Sequence, residues 1–260
     1  MRIFATAFLL LTTLALSTAQ TLTVNTRLDV VDPNDGLLSL REAIEAAKNQ
    51  AGPNEIIFDA SYFRPDSTIL LTEPLVIDDP GGLVITGRQD TTILAPNPLL
   101  DGIRFDGLVV KSGGFTVSNV IFSGFKGTSV AVDTASGGPV VIGPGNIMAN
   151  SEDYGIRVSR SRGVTILGNV ITESGWYGYS EGIVVMDSSA KILIEENVIM
   201  WSNNSGIGTF QSDSLTVRRN YLGRNWGSGL RIYEGEGYNV VEENIIAGNY
   251  LDGVSIFAGE

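Results

Sequence analysis

The second half of this chain is written in one unit, and that unit dictates what the chain can fold into. A Gly opens a short apolar run, a polar turn and a second apolar run follow, and an Asn precedes a third. Residues 182–205 show it plainly, with apolar runs at 183–185 and 192–194 and a third begun by Asn197, Val198 and Ile199. The glycines are Gly155, Gly182, Gly206, Gly229 and Gly253, spaced 27, 24, 23 and 24 residues, and Gly102 fits the same place upstream. The asparagines are Asn119, Asn146, Asn169, Asn197, Asn220 and Asn244, spaced 27, 23, 28, 23 and 24. Successive side chains of each run alternate inside and outside at the period of a strand.

Three short strands in a repeat of this length mark a solenoid. Leucine-rich repeats share the period but need Leu at fixed offsets and a helical segment, and neither is present. The spacing therefore predicts an all-β, right-handed parallel β-helix of about seven or more rungs. The recurring Asn has a structural use, because amides stacked at one bend satisfy backbone groups of neighbouring rungs. The recurring Gly suits a tight turn into the first strand.

The chain divides into three parts. Residues 1–19 carry Arg2, an apolar run through Leu9, Leu10, Leu11 and Leu14, and Ser17-Thr18-Ala19, the pattern of a secretory signal peptide cut after Ala19. Residues 20–100 form an N-terminal cap, with a helix at about 39–50, and irregular first rungs; residues 101–260 form the regular rungs. No later apolar stretch is long enough to span a bilayer, so the expected location is outside the cell or at its surface. The chain stops on the first strand of a new rung, so a further C-terminal part or a partner is expected to cover the open end.

Composition narrows the partners. The net charge is −12 and no basic cluster exists, which argues against nucleic acid. Cysteine and His are both absent, so no disulfide and no His acid or base is available. A solenoid buries a continuous core between rungs and needs no disulfide staples.

Ahead of the rungs, Ser39-Leu40-Arg41-Glu42 is a capping box, and Leu40, Ala43, Ile44 and Ala47 share one helix face. That face is suited to lie over the end of the solenoid. Asp29, Asp32, Asn34, Asp35 and Gly36 form an acidic turn; Ca²⁺ is conceivable there, but the spacing is not that of an EF-hand loop, and no cofactor is expected. Residues 38–44, Leu-Ser-Leu-Arg-Glu-Ala-Ile, resemble the Cys-Ser-Leu-Arg-Glu-Ala motif that begins many bacterial secreted β-helix proteins of the pectin-lyase-like superfamily, with Leu38 where the motif has Cys. The resemblance implies the fold. It implies activity only loosely, because members include lyases, hydrolases, epimerases and adhesins.

Site residues follow from the register. Positions one and three after each Gly point inward and are nearly all apolar, while positions two and four point outward. Position two holds Arg157, Val184, Gly208, Arg231 and Ser255, with Arg104 further back; position four holds Asp106, then Ser159, Met186, Phe210, Tyr233 and Phe257, with Asp133 joining if Ser129 takes the Gly place. Position five holds Arg160, Asp187, Gln211 and Glu234, and two rungs would separate Asp187 from Glu234 by roughly 9.6 Å, near the span of inverting glycosidases. Trp176, Trp201, Trp226 and Tyr250 lie in the turns before the first strands, where a file of aromatics stacks on sugar rings or fills the turns; Phe125 falls there too.

No catalytic motif of the superfamily is present. Asp187, Glu234, Arg157 and Arg231 are the candidate catalytic groups of a lyase or hydrolase. Phe210, Tyr233, Phe257, Arg231, Trp176, Trp201 and Trp226 are the candidate substrate-binding groups. The expectation is a β-helix that binds polysaccharide or mediates adhesion, with a polysaccharide lyase or glycoside hydrolase acting on the first-strand face as the alternative.

Overall fold

The structure is a computed structural model that describes residues 19–50, 52–88, 91–178, 180–233 and 238–257. The leader expected over residues 1–19 lies outside the described residues except for its last, and Glu234 lies outside them as well.

Three parallel sheets run through the molecule, two of eight strands and one of nine. The chain visits them in turn, so each strand pairs with the strands one coil before and after it. The strands after the recurring Gly make the first-strand sheet, from Leu75–Ile77 to Val254–Phe257. The second-strand sheet runs from Thr21–Val24 to Val240–Glu242, and the third-strand sheet from Thr68–Leu71 to Ile245–Ala247.

The expected register holds. Ile156, Ile183, Ile207, Leu230 and Val254 stand opposite one another on successive coils. Ile156, Ile183, Ile207 and Leu230 are fully buried. The alternating pattern thus puts one apolar column per inward position into the shared core, and dispersion between like side chains fills it.

Two anchors differ from the expectation. The first strand of its coil is Leu108–Ser112, so Gly107 takes the place assigned to Gly102. A Cβ on Gly107 would lie 2.7 Å from the Ser129 carbonyl oxygen, so close approach of the next coil requires glycine there. Arg104 and Asp106 consequently sit in the preceding turn, and Val109 and Lys111 hold the outward positions. Asn119 also shifts by one: Val120, not Asn119, stands below Asn146, while Asn119 takes a left-handed corner conformation with φ 57°.

The remaining asparagines form a buried ladder. The Nδ2 of Asn146, Asn169, Asn197 and Asn220 each donates to the Oδ1 of the next Asn at 3.0 Å, and the Oδ1 of Asn197, Asn220 and Asn244 also accepts the backbone N–H of the Asn one coil before. A second ladder, absent from the expectation, stands five residues on. Asn225 Nδ2 donates to Asn249 Oδ1 at 2.9 Å, and Ser202, Ser174 and Ser151 continue the column toward the N-terminus.

Toward the N-terminus the coils are more regular than expected. Leu83–Thr86 pairs in register with Phe115–Ser118, and Ile93–Pro96 with Thr68–Leu71. A strand not anticipated, Thr21–Val24, pairs with Asn54–Phe58. Between the two lies the helix α1, Leu40–Lys48, shorter than the expected 39–50 because Ser39 caps its start and Asn49 ends it. Both halves of the capping box form. Leu40, Ala43, Ile44 and Ala47 are buried in the same core as Leu22, Val24, Ile56 and Phe58, so α1 packs its apolar face against the first strands of the stack. Its Arg41 makes a two-pronged pair with Asp29 at 2.8 and 2.9 Å, and Asp29 also accepts from Thr72. The acidic turn spends Asp32 and Asp35 on backbone N–H groups two residues ahead. In the last coil the core-facing Val254 and Ile256 are exposed.

Candidate functional site

Outward side chains of the first-strand sheet and the turns that lead into it make one continuous surface. Its N-terminal part is charged. Arg104 holds Glu152 at 2.7 Å and Asp153 at 2.6 Å, and its guanidinium lies 4.4 Å from the Tyr177 ring. Arg157 pairs with Asp106 at 3.1 Å, and Asp106 also accepts the backbone N–H of Thr128. Arg157 is therefore committed to a partner within the protein. Burial pushes the Asp153 carboxyl up, and Asp106 adds to that against the pull of Arg104.

At the centre lies Glu181, which the sequence reading passed over. It is 3% exposed, although it stands on the outer side of the coil. Gly208, at the outward second position, makes this possible: a Cβ there would meet Glu181 Cγ at 2.8 Å and Oε1 at 3.0 Å. The Glu181 side chain thus lies across the bare backbone of the following coil. Asn204 Nδ2 donates to its Oε1 at 3.0 Å. Burial raises its pKa to about 7, opposed by its own backbone N–H and by the charge of Arg231. Tyr154 stands nearby, its phenol pushed up by burial and by the Glu181 charge.

Arg231 pairs through its backbone position with Gly208, one coil beyond Glu181. Its Nε is buried without a hydrogen-bond partner, and its guanidinium carbon lies 5.9 Å from the Phe257 ring. The outward fourth positions then give an aromatic file. Phe210 and Tyr233 have ring centroids 6.0 Å apart, and Tyr233 and Phe257 5.2 Å apart, with interplanar angles of 34° and 32°. Tyr233 is 40% and Phe257 43% exposed, so one face of the file is open to solvent.

The turn tryptophans do not form one file. Trp201 ends the strand Val198–Met200 in a left-handed conformation, φ 61°, with Arg224 of the next coil 5.3 Å over its ring. Trp226 stacks on Tyr250 at 6.2 Å, and these two with Trp201 and Arg224 line an open groove. Trp176 is exposed in a longer turn of its own. Phe125 is fully buried and serves the core.

Of the candidate catalytic groups Glu234 lies outside the described residues, and Asp187, Arg157 and Arg231 share no hydrogen bond or ion pair among the described residues. Asp187 occupies a left-handed corner, φ 57°, as do Arg160 and Gln211 on the coils before and after it. It accepts from Ser159 Oγ at 2.6 Å and lies 3.8 Å from Arg160. The position-five row is thus a corner where the chain leaves the first-strand sheet. Its pairing with Glu234 lies outside the described residues.

Comparison with known proteins agrees with this architecture. The family described as right handed beta helix region matches residues 106–260. Among solved structures, the pectate lyase Pel9A superposes with a TM-score of 0.62 at 10% identity, covering 93% of this chain and 69% of that one. ORF18 of Geobacillus virus E2 gives 0.57 at 12% identity, covering 92% and 62%. A mutant of the periplasmic alginate epimerase AlgG gives 0.53 at 14% identity, covering 78% and 59%. The chain spans less than two thirds of the length of the latter two. At these identities the likeness concerns the fold. No curated protein sequence matches the chain.

Proposed function

The chain belongs to the right-handed β-helix family, and from that premise we propose that the outer face of its first-strand sheet binds a polysaccharide, outside the cell or at its surface. The observation that carries the proposal is the file Phe210, Tyr233 and Phe257, three aromatic rings on consecutive coils with Arg231 beside them. A solvated strand face alternates to polar residues, and contiguous exposed apolar groups mark a contact. Rings repeated at coil spacing suit a chain of sugars, whose apolar faces stack on them while its hydroxyls stay in water. A pectate lyase and an alginate epimerase among the structural neighbours support a polysaccharide as the ligand, and the leader pattern of residues 1–19 supports export.

Retention is favoured over turnover. Among the described residues of this face Glu181 is the carboxyl with the most displaced pKa, but at 3% exposure it is out of reach of a sugar ring carbon. Arg157 and Asp187, assigned to catalysis on sequence grounds, are held in ion pairs of the protein itself. The test is affinity electrophoresis of the purified protein against uronate and neutral polysaccharides, with and without Ca²⁺, beside an assay for ultraviolet-absorbing unsaturated products. Retarded migration without product is expected. Product formation would replace retention by lyase activity, and unretarded migration on every polysaccharide would remove the reading.

A further inference from the structure

The two arginines of the outward second position differ in one respect that decides which can meet a ligand. The Nε of both is buried without a hydrogen-bond partner, but Arg157 is paired with Asp106, whereas Arg231 makes no ion pair among the described residues. Arg231 is also the one that borders the aromatic file, with its guanidinium near Phe257 and its own strand carrying Tyr233. On its other side lies Gly208 with the Glu181 side chain drawn across it. Glu181 and Arg231 act on each other's charge without forming an ion pair among the described residues.

We propose that Arg231 anchors the carboxylate or sulfate of an acidic sugar seated on Phe210 and Tyr233, and that protonation of Glu181 controls how firmly that anion is held. The proposal rests on the glycan reading and names the ligand class. A guanidinium without a carboxylate partner is suited to a planar or tetrahedral oxyanion. While Glu181 is neutral, Arg231 offers its full charge. Once Glu181 ionises, it offsets that charge and repels the incoming anion through a poorly solvated place. The charged and titratable groups facing Glu181 are Arg231 from the strand Leu230–Tyr233 and Tyr154 from the turn before Ile156; Asp153 and Arg157 stand behind Tyr154. Asp153 is itself raised by burial, against the pull of Arg104, so Glu181→Gln is the variant that separates the two carboxyls.

Linkage sets the sign. A ligand that prefers the protonated carboxyl loses affinity as pH rises through the Glu181 pKa of about 7, by up to about tenfold per unit above it. Reciprocally, binding near neutral pH draws a proton from solution.

The experiment is isothermal titration of the whole protein with a polyuronate oligosaccharide and with its carboxyl-reduced neutral counterpart, at about pH 6 and about pH 8.5 and in buffers of different ionisation heat. For the unchanged protein the polyuronate is expected to bind about tenfold or more weakly at the higher pH, with uptake of up to about one proton when binding is measured near pH 7. Glu181→Gln should keep the low-pH affinity at both values and take up no proton. Arg231→Gln should bind the acidic chain no better than the neutral one. Equal, pH-independent binding of the two chains would leave the glycan reading standing and overturn this proposal, as would an unchanged pH dependence in Glu181→Gln. Binding of neither chain would end both. Should the Gln variant fail to fold, as circular dichroism would show, proton uptake by the unchanged protein decides.

Discussion

Glu181 lies across Gly208, with only 2.8 Å between its Cγ and the place where a Cβ on residue 208 would stand. One missing methyl group therefore lets a carboxyl lie flat against the sheet, shielded from water and one coil away from Arg231. The same outward position carries Arg157, Val184 and Arg231 on neighbouring coils, so the glycine is a local opening in an otherwise filled row.

Gly208→Ala is expected to push the Glu181 side chain outward. The pKa of Glu181 should fall back toward 4.5 as water reaches it, and stability near neutral pH should change by about 1 kcal/mol or less, because the Cβ meets a flexible side chain that can leave. Following the carboxyl carbon shift by NMR titration checks the first, and denaturant unfolding the second. A pKa that stays near 7 would show that residue 208 does not set the burial.

The raised pKa makes stability depend on pH. Folded Glu181 holds its proton up to about 7 while the unfolded chain releases it near 4.5, so between these values the folded state binds more protons and stability falls as pH rises. The contribution is fully present below the unfolded value and amounts to about 3 kcal/mol lost by the time pH passes the folded one. Glu181→Gln should flatten that part of the unfolding profile. An identical slope in the variant would assign it to other carboxyls.

How much of this could be read beforehand depended on whether the repeat itself carried the signal. Ile156, Ile183, Ile207 and Leu230 fall at one place in every unit, so inward columns and sheet register were legible. Gly102 was mistaken for Gly107 because both open an apolar-looking run, and only the close approach of the Ser129 carbonyl distinguishes them. The strand Thr21–Val24 is four residues long and separated from its partner by α1, too little for periodicity to reveal. The second ladder was visible in principle, since Asn225 and Asn249 follow Asn220 and Asn244 by the same five residues. Glu181 also had a periodic mark: Asp106, Tyr154 and Glu181 each stand immediately before the turn Gly of their coil. Its burial had none, because it arises from a glycine 27 positions later in the chain, on the next coil.

The ladders are expected to hold the coils together unequally. Asn197→Ala removes an amide that bonds Asn220, Ile166 and Glu195 and an acceptor used by Asn169, all buried, and should cost about 1–3 kcal/mol. Asn225→Ala interrupts a shorter column and should cost less. Chemical denaturation of both variants measures the difference, and two neutral substitutions would mean that the asparagines serve only the bend.

Packing of α1 can be tested apart from the ladders. Ile44→Asp places a charge in the core that α1 shares with Leu22, Val24 and Phe58 and should cost several kcal/mol, about the penalty for an unpaired buried charge. A melting temperature within a degree or two of the parent would show that α1 is not part of the stack.

The central claim, that the aromatic face binds glycan, is tested most directly by replacing Phe210 and Tyr233 together with Ser and measuring both unfolding and retention on polysaccharide. Both rings lie on the outer face, Tyr233 at its open margin, so unfolding should change by about 1 kcal/mol or less while retention is lost. Full retention by the folded double variant would contradict the account.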